Sequence, residues 1–393
     1  MEIVFWLAVG LIAWTQLGYA AALAVLARVV APRAAPRAPV ELPSVSLIVA
    51  AHDEQASIAA KVGNALALDY PRELLEVIVA CDGCTDATAA DARTAGAHTV
   101  LELPRGGKIR AQDAAVQGAR GQLVVFSDAN AQWEPDALRM LVAAFADPRV
   151  GYACGQVRFV RDPRSPGGSQ ATNQEGLYWR YELAVRALES RLSSITAGNG
   201  AIYATRHADY MVVDPIMGHD LSFPFNMVKR GRRAVYVPAA RASERMVPSI
   251  EGELARKRRM MSHTWPIVLR GGMLSPRGYS PGYALMILSH RVLRYVTPFL
   301  HAVALLANIA LVAIDAGPRA LYVATFALQF ALLAAAGAGG VAHIRPLLVA
   351  RYYVLTTASL ALGLWDWLRH GTNPGWEAAE GTRPAGRAAE GTP

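Results

Sequence analysis

Three long stretches without charged side chains constrain this fold more than any other feature of the chain. They cover Ile3–Ala27, Val296–Ile314 and Ala320–Ala342. A helix needs about 20 apolar residues to cross the hydrocarbon core of a bilayer, and each stretch is close to that length or longer. A fourth stretch, residues 347–368, contains two charged residues, and we expect it to span with its polar ends at the interface or to re-enter. The sequence therefore predicts an integral membrane protein.

The charges beside the first stretch predict its orientation. Glu2 precedes the stretch, and Arg28, Arg33 and Arg37 follow it. A cleaved signal peptide has a shorter apolar core with positive charge before it, so we expect a retained helix over residues 1–30. Basic residues favour the cytoplasmic side, so the next part of the chain is predicted to be cytoplasmic. The Ala- and Arg-rich composition indicates a GC-rich bacterial genome, so we expect the protein in the bacterial inner (cytoplasmic) membrane.

The composition supports this class and argues against two others. Of 393 residues, 53% are hydrophobic and 18% charged, which is too apolar for a wholly soluble protein. The net charge is +8, but the arginines lie near apolar segments, where they suit anionic membrane lipids, and no nucleic-acid partner is expected. Cys81, Cys84 and Cys154 are too few for a disulfide framework. The Cys-x-x-Cys pair is expected to replace small serine-like residues, with metal or redox chemistry as the alternative.

Between the apolar stretches, residues 44–245 alternate short apolar strands with helical patterns. Strands are predicted at Val45–Ala50, Leu75–Ala80, His98–Leu103 and Gln122–Phe126, and helices at 54–67, 85–95, 108–119 and 135–146. This alternation predicts an α/β fold with a mostly parallel sheet flanked by helices. Ligands of such sheets bind beyond the carboxyl ends of the strands, so the residues that follow each strand are the candidates for a site.

The remaining boundaries follow from composition. Residues 31–43 are rich in Pro and Ala and are predicted to be a linker. Residues 266–295 include an amphipathic pattern typical of a helix that lies in the membrane interface. Residues 296–368 are expected to form the C-terminal membrane helices. Residues 369–393 are rich in Gly, Ala, Glu and Pro and are predicted to be a disordered tail.

Acidic side chains follow three of the predicted strands. Asp53 and Glu54 come after the first strand, Asp82 after the second, and Asp128 with Asn130 after the fourth. The last two leave an extended chain on the same side, and their oxygens are ligands that Mg²⁺ or Mn²⁺ accepts. Each signal is weak by itself, because acids also favour turns and helix N-termini. Together they predict a site for a divalent cation and a diphosphate.

These motifs, in this order, resemble those of the family 2 glycosyltransferases over about residues 44–265. In that family the first strand ends in an Asn/Asp-Glu pair, as at Asp53-Glu54, and the next in Asp-Gly-Ser-x-Asp, as at Asp82-Gly-Cys-Thr-Asp86. The resemblance implies a nucleotide-sugar-binding (GT-A, Rossmann-like) mixed sheet and an enzyme that inverts the anomeric carbon. It also implies donor contacts from these residues, with Asp82 on the uracil ring.

Two further elements resemble the donor side of the family's site. Residues 105–113 are similar to its Gly-Lys-x-x-Ala-Leu-Asn element, which implies that Lys108 faces the charge of the nucleotide; Asp113 replaces the usual Asn. Asp128-Ala-Asn130 stands where the family has Asp-x-Asp. The resemblance thus implies Mg²⁺ or Mn²⁺ as cofactor, with Asp128 as a metal ligand and Asn130 as a neutral second one.

On the acceptor side, the family uses an Asp at the start of a helix to deprotonate the acceptor hydroxyl. Asp220 matches that position, which implies that it is the general base, and a partly desolvated carboxylate has a raised pKa suited to this role. Gly198, Asn199 and Gly200 resemble the Gly-rich acceptor loop, which implies contacts with the acceptor. His219 replaces an acid that is common in the family, and we expect it only to support its neighbour.

Arg259 matches the Arg of the Gln-x-x-Arg-Trp motif of processive members, which implies a contact with the donor diphosphate. Met260 replaces the Trp, so a processive polysaccharide synthase with coupled translocation is the second interpretation. The first is a hexosyltransferase-type enzyme that moves a sugar from a nucleotide sugar, expected to be a UDP-sugar, to a lipid-linked or saccharide acceptor. A non-catalytic membrane protein that binds a nucleotide sugar is disfavoured because Asp128 and Asp220 are both retained.

Overall fold

A computed structural model describes residues 1–30, 41–160, 171–245, 250–315, 317–342 and 344–372. Contacts divide the chain into two compact units, treated separately below. The sheet unit falls within Pro32–Ser165 and Ser193–Pro248, and the helical unit within Met1–Ala31, Pro166–Leu192 and Ser249–Gly371. Most of the predicted linker and of the predicted tail lies outside the described residues.

The sheet unit is built on eight strands within the described part of the chain, in the order β3-β2-β1-β4-β7-β6-β8-β5. They are β1 (Val45–Ala51), β2 (Leu75–Asp82), β3 (Thr99–Leu103), β4 (Leu123–Asp128), β5 (Gln132–Trp133), β6 (Val150–Val160), β7 (Ile202–Arg206) and β8 (Arg233–Arg245). The first four strands run parallel, β7 is antiparallel to β4 and β6, β6 is parallel to β8, and β5 is antiparallel to β8. The sheet is therefore mixed, and it contains all four predicted strands.

Helices flank this sheet and make up the other unit. In chain order they are α1 (Glu2–Ala13), α2 (Tyr19–Val29), α3 (Gln55–Leu66), α4 (Thr88–Thr94), α5 (Lys108–Gly118), α6 (Ala137–Ala143), α7 (Ala171–Leu192), α8 (His219–Lys229), α9 (Ile250–Leu269), α10 (Pro281–Met286), α11 (Leu293–Ala313), α12 (Arg319–Ala338) and α13 (Arg345–His370). Short 3₁₀ turns cover Arg72–Leu74, Ala144–Ala146 and His207–Asp209, and π-helical turns cover Trp14–Gly18 and Ile287–Val292.

The parallel register brings the carboxyl ends of β1, β2 and β4 together. Ala51 pairs with Cys81 on one side, and Ala50 pairs with Asp128 on the other. All seven residues of β1 are buried, as expected for an apolar strand covered on both faces. The acids that follow these strands therefore lie along one edge of the sheet.

Four helices in the described parts of the helical unit are long and apolar enough to cross a membrane. They are Glu2–Val29, Pro281–Ala313, Arg319–Ala338 and Arg345–His370. The last contains the stretch that the sequence left open, and its Asp366 makes a two-bonded ion pair with Arg258 of α9. Helices α7 and α9 belong to this unit by their contacts, and the bounds of the predicted catalytic domain, residues 44–265, stay a prediction.

The interfacial helix predicted within residues 266–295 is not a separate element. One continuous helix of 33 residues, Pro281–Ala313, combines α10, a π-helical turn and α11. Its polar residues are buried against acids of α7: His290 lies 2.7 Å from Glu189, and Arg294 pairs with Glu182. The amphipathic pattern therefore reflects packing inside the protein, since buried charges require partners.

Candidate active site

Asp128, the last residue of β4, forms an ion pair with the ammonium group of Lys108, the first residue of α5. Both side chains are about one-fifth exposed. A Cβ on Gly200 would lie 3.3 Å from Lys108 Nζ and 3.9 Å from Asp128 Oδ2, so this glycine borders the pair. The Lys108 ammonium group therefore binds the carboxylate oxygen of Asp128 that a metal cation would contact. The hard oxygens of Asp128 fit a divalent cation at this position, and a contact from Asn130 stays a prediction.

Asp220 lies in the first turn of α8, and its backbone connects it to the glycine loop. The N–H of Gly198 donates to the carbonyl of Asp220 at 2.7 Å. A Cβ on Gly218 would lie only 2.6 Å from Asp220 Oδ1, so a side chain at this position would displace the carboxylate. Burial raises the pKa of Asp220; Lys108 opposes this shift and Asp128 adds to it. The structure therefore brings the predicted base, Lys108 and Asp128 within electrostatic reach of one another.

The predicted acceptor loop is held by its own polar groups. The Asn199 amide donates to the Gly155 carbonyl at 2.6 Å, and its oxygen accepts from the N–H groups of Ala201 and Ile202. A Cβ on Gly198 would lie 2.1 Å from the Tyr152 hydroxyl, so no side chain fits there. The buried Asn199 side chain fixes the loop, so an acceptor contact from it stays a prediction.

Asp82 is 1% exposed, and its carboxylate accepts hydrogen bonds from the N–H groups of Gly106 and Gly107. These bonds fix the segment that precedes Lys108. Glu54 is also buried and accepts a 2.6 Å hydrogen bond from the Ser57 hydroxyl at the start of α3. Both carboxylates therefore support the local backbone, and their predicted donor contacts remain predictions.

Asp53 has its backbone in the left-handed region, with φ of 50°. Its carboxylate accepts a 2.7 Å hydrogen bond from the Thr85 N–H. This bond lowers the pKa of Asp53 although partial burial opposes the shift. Asp53 is thus an ionised, half-buried carboxylate at the end of β1, a position from which it can contact a ligand.

His219, next to the predicted base, is packed among aromatic rings. Its ring lies 4.1 Å from that of Phe223, and its Nδ1 is 2.8 Å from the Tyr203 hydroxyl. Burial lowers the pKa of His219 to about 3, and Lys108 adds to the effect. The imidazole is therefore neutral and supports α8. Asp113 accepts a 2.6 Å hydrogen bond from the Tyr210 hydroxyl, which gives this substitution a structural partner.

The comparison with protein families decides the class of the chain. The family model described as "Glycosyltransferase like family 2" matches residues 43–262, more than half of the chain. The chain belongs to glycosyltransferase family 2. This confirms the resemblance that the strand-end motifs carry.

Relatives of this glycosyltransferase match it over part of their length. Beta-monoglucosyldiacylglycerol synthase of Synechocystis sp. is 34% identical over 119 residues, which are 28% of this chain and 25% of that protein. Polypeptide N-acetylgalactosaminyltransferase 3 of Drosophila melanogaster is 24% identical over 168 residues, 41% of this chain and 25% of that protein. The match with this chain thus spans a quarter of each of these curated relatives.

A solved structure shares the fold of this glycosyltransferase over nearly its whole length. It is a mannosyltransferase from Pyrobaculum calidifontis in complex with GDP-Man and Mn²⁺, 23% identical, with a TM-score of 0.68 over 93% of this chain and 99% of the other. The predicted GT-A fold, a mixed α/β sheet with flanking helices, is thereby confirmed.

Arg259 of the glycosyltransferase lies on α9, in the helical unit, and its side chain is exposed. The other predicted site residues belong to the sheet unit. The contact of Arg259 with the donor diphosphate therefore remains a prediction.

Sequence reasoning missed Lys61, a fully buried lysine of α3. Its ammonium group donates to the Ala131 carbonyl at 2.8 Å and lies 5.1 Å from the centre of the Trp133 ring. Burial lowers the pKa of Lys61 to about 7, although the charges of Asp128 and Glu244 oppose the shift. The sequence spacing indicates the burial of Lys61, because this lysine lies on the apolar face of an amphipathic helix. It follows Ile58 by three residues and precedes Ala65 by four, and both are buried.

Lys61→Met is expected to remove a pH dependence of stability between pH 7 and pH 10. The lysine has an ordinary pKa of 10.5 when unfolded and about 7 when folded, so the unfolded state binds more protons in this range. The free energy of unfolding of the parent protein should then rise with pH relative to the variant, by up to ~1.4 kcal/mol per pH unit. Thermal midpoints measured across this range test the difference.

Arg110→Met, which removes an exposed positive charge from α5, is the matched control and should keep the parental slope. Equal slopes for the parent protein and Lys61→Met would show that the buried ammonium does not titrate in this range.

Proposed function

We propose that this chain is a membrane-bound hexosyltransferase that moves a sugar from a nucleotide sugar to a lipid-linked or saccharide acceptor with inversion. One observation carries the proposal: Asp220, with its raised pKa, lies within electrostatic reach of the Lys108–Asp128 pair. A proton acceptor beside paired charges is the arrangement that in-line sugar transfer from a diphosphate requires.

On the donor side, the nucleotide lies over the carboxyl ends of β1, β2 and β4. Asp53 and Asp82 border the nucleoside, and the bonds from Asp82 to Gly106 and Gly107 place Lys108 beside the diphosphate. Asp128 and Asn130 would hold Mg²⁺ or Mn²⁺, which when bound supplies positive charge that neutralises the departing diphosphate. Lys108 moves from Asp128 to the phosphate oxygens as the donor binds, so its charge is retained in the site.

On the acceptor side, the Asp220 carboxylate accepts the proton of the attacking hydroxyl. The oxygen of that hydroxyl forms the new bond to the anomeric carbon, and the bond to the nucleoside diphosphate breaks. The raised pKa makes Asp220 a stronger base than an exposed aspartate. Gly200 leaves room beside the Lys108–Asp128 pair, because a Cβ at this position would lie 3.3 Å from Lys108 Nζ.

The candidate membrane helices and the relatives support the proposed acceptor and location. The name of the Synechocystis relative includes a diacylglycerol product, which supports a lipid acceptor for this chain. Arg28, after the first candidate span, favours a cytoplasmic catalytic unit, where nucleotide sugars are available. We place the protein in the bacterial inner membrane, in contact with its lipids.

Release of nucleoside diphosphate from a panel of UDP- and GDP-sugars tests the proposal. The full chain in detergent, given a lipid extract as acceptor, should release diphosphate from one donor. A chelator should abolish the release, and added Mn²⁺ or Mg²⁺ should restore it. Saturable donor binding without release under these conditions would favour the non-catalytic interpretation. Long polymeric products would instead support a processive synthase.

A further inference from the structure

Three metal-binding side chains meet at the ends of β1 and β2, apart from the Lys108–Asp128 pair. His52, Asp53 and Cys84 each offer one ligand atom, and these three atoms all lie within 4.8 Å of one another. All three side chains are partly exposed, so a cation can reach them from solvent.

The orientation of His52 suits metal binding. Its Nδ1 lies 2.7 Å from the Asp82 carbonyl oxygen, which can only accept a hydrogen bond, so Nδ1 carries the proton and Nε2 the lone pair. Metal-bound histidines commonly donate their other N–H to such a carbonyl. Nε2 lies 3.5 Å from Asp53 Oδ2, close to the ~3.4 Å that separates two ligands bound tetrahedrally at zinc distances.

Asp53 and Cys84 are held in place by other groups. The Thr85 N–H binds Asp53 Oδ1 at 2.7 Å, which leaves Oδ2 as the oxygen that faces His52. The Cys84 thiol donates to the Ala51 carbonyl at the end of β1 at 3.5 Å, which holds its sulfur at this strand end. Cysteine binds metals as the thiolate, so a bound cation would replace this thiol proton.

We propose that His52, Asp53 and Cys84 form a three-ligand site for zinc or a similar divalent cation, with a fourth position open to water. Nitrogen, oxygen and sulfur together are a ligand set for zinc. Asp128 and Asn130 offer only oxygen, which suits Mg²⁺ or Mn²⁺. The proposed three-ligand site and the Asp128–Asn130 site are therefore expected to prefer different metals.

The site has a consequence that rests on the proposed function. Asp53 is among the residues that we expect to contact the donor, and His52 binds the backbone of Asp82, another such residue. A zinc ion on Asp53 removes this carboxylate from the donor. Zinc should therefore weaken donor binding, whereas Mn²⁺ should support it.

Cobalt binding tests the site without any need for turnover. The reduced full chain in detergent is titrated with Co²⁺, which should produce a thiolate-to-cobalt charge-transfer band in the near ultraviolet, and Zn²⁺ should displace it. Cys84→Ser should lose the band and His52→Ala should shift the titration to higher cobalt. Cys154→Ser, at a buried cysteine away from the cluster, is the matched control and should keep the band.

Absence of the band in the parent protein, or its persistence in Cys84→Ser, would overturn the proposed site. Donor binding is then measured with and without Zn²⁺. Zinc inhibition that disappears in Cys84→Ser supports the consequence, and inhibition that persists there contradicts it. Failure of the proposed function would appear as absent donor binding with the cobalt band intact, so the two failures are distinguishable.

Discussion

Asp220→Asn is expected to lower turnover by about 10²- to 10⁴-fold, the range that a general base contributes. The amide retains the shape of the carboxylate but cannot accept the proton of the acceptor hydroxyl. Donor affinity should change little, because Asp220 is assigned to the acceptor. Steady-state kinetics and equilibrium binding of the donor, measured on the same preparation, separate the two effects.

The pH profile provides a second measurement for the same residue. Burial raises the pKa of Asp220, and the base must be ionised to act. Turnover of the parent enzyme should therefore fall as the pH drops through a pKa above the usual aspartate value, and Asp220→Asn should lack this acidic limb.

Asp69→Asn is the matched control for this substitution. Asp69 is exposed and pairs with Arg139 at the surface, so this variant should retain parental turnover. Parental turnover in Asp220→Asn would contradict the assignment of Asp220 as the general base and would favour a non-catalytic role for this residue.

Asp128→Asn is expected to weaken metal-dependent donor binding and to lower turnover by about 10²- to 10³-fold, the cost of losing one electrostatic contact to a reacting group. The change removes the negative charge that would hold the cation and leaves Lys108 without its carboxylate partner. Mn²⁺ binding by electron paramagnetic resonance, with and without donor, measures the effect directly.

Asn130→Asp is expected to change the affinity for Mn²⁺ in the opposite direction. It restores a second carboxylate two residues after Asp128, and more anionic ligands bind divalent cations more tightly. The concentration of Mn²⁺ that gives half-maximal binding should therefore fall. Equal Mn²⁺ affinity in the parent protein and in both variants would place the metal elsewhere.

Local sequence patterns predicted the elements that make up the donor side of the site. Strand β1 was predicted at Val45–Ala50 and observed at Val45–Ala51, and α5 was predicted at 108–119 and observed at Lys108–Gly118. A period of two or 3.6 residues is a property of neighbouring residues, so it can be read without knowledge of the fold. The rule that ligands bind at strand ends then identified Asp128.

Long-range contacts decided what the sequence patterns left open. The polar face of residues 280–294 resembled an interfacial helix, but its partners are acids of α7 about one hundred positions earlier in the chain. Likewise, Cys84 was considered with Cys81, whereas the fold also brings it together with His52 and Asp53 of another strand end.

The sequence alone determined the candidate membrane spans, the α/β alternation and the family, because each depends on local composition or on an ordered set of motifs. Only the tertiary structure showed that Asp82 and Asn199 bind backbone groups around them and that Lys61 is buried and donates to the Ala131 carbonyl. The physical reason is that hydrogen bonding and burial depend on partners distant in the chain. Residue type limits what a side chain can do, and its neighbours in the fold select among those possibilities.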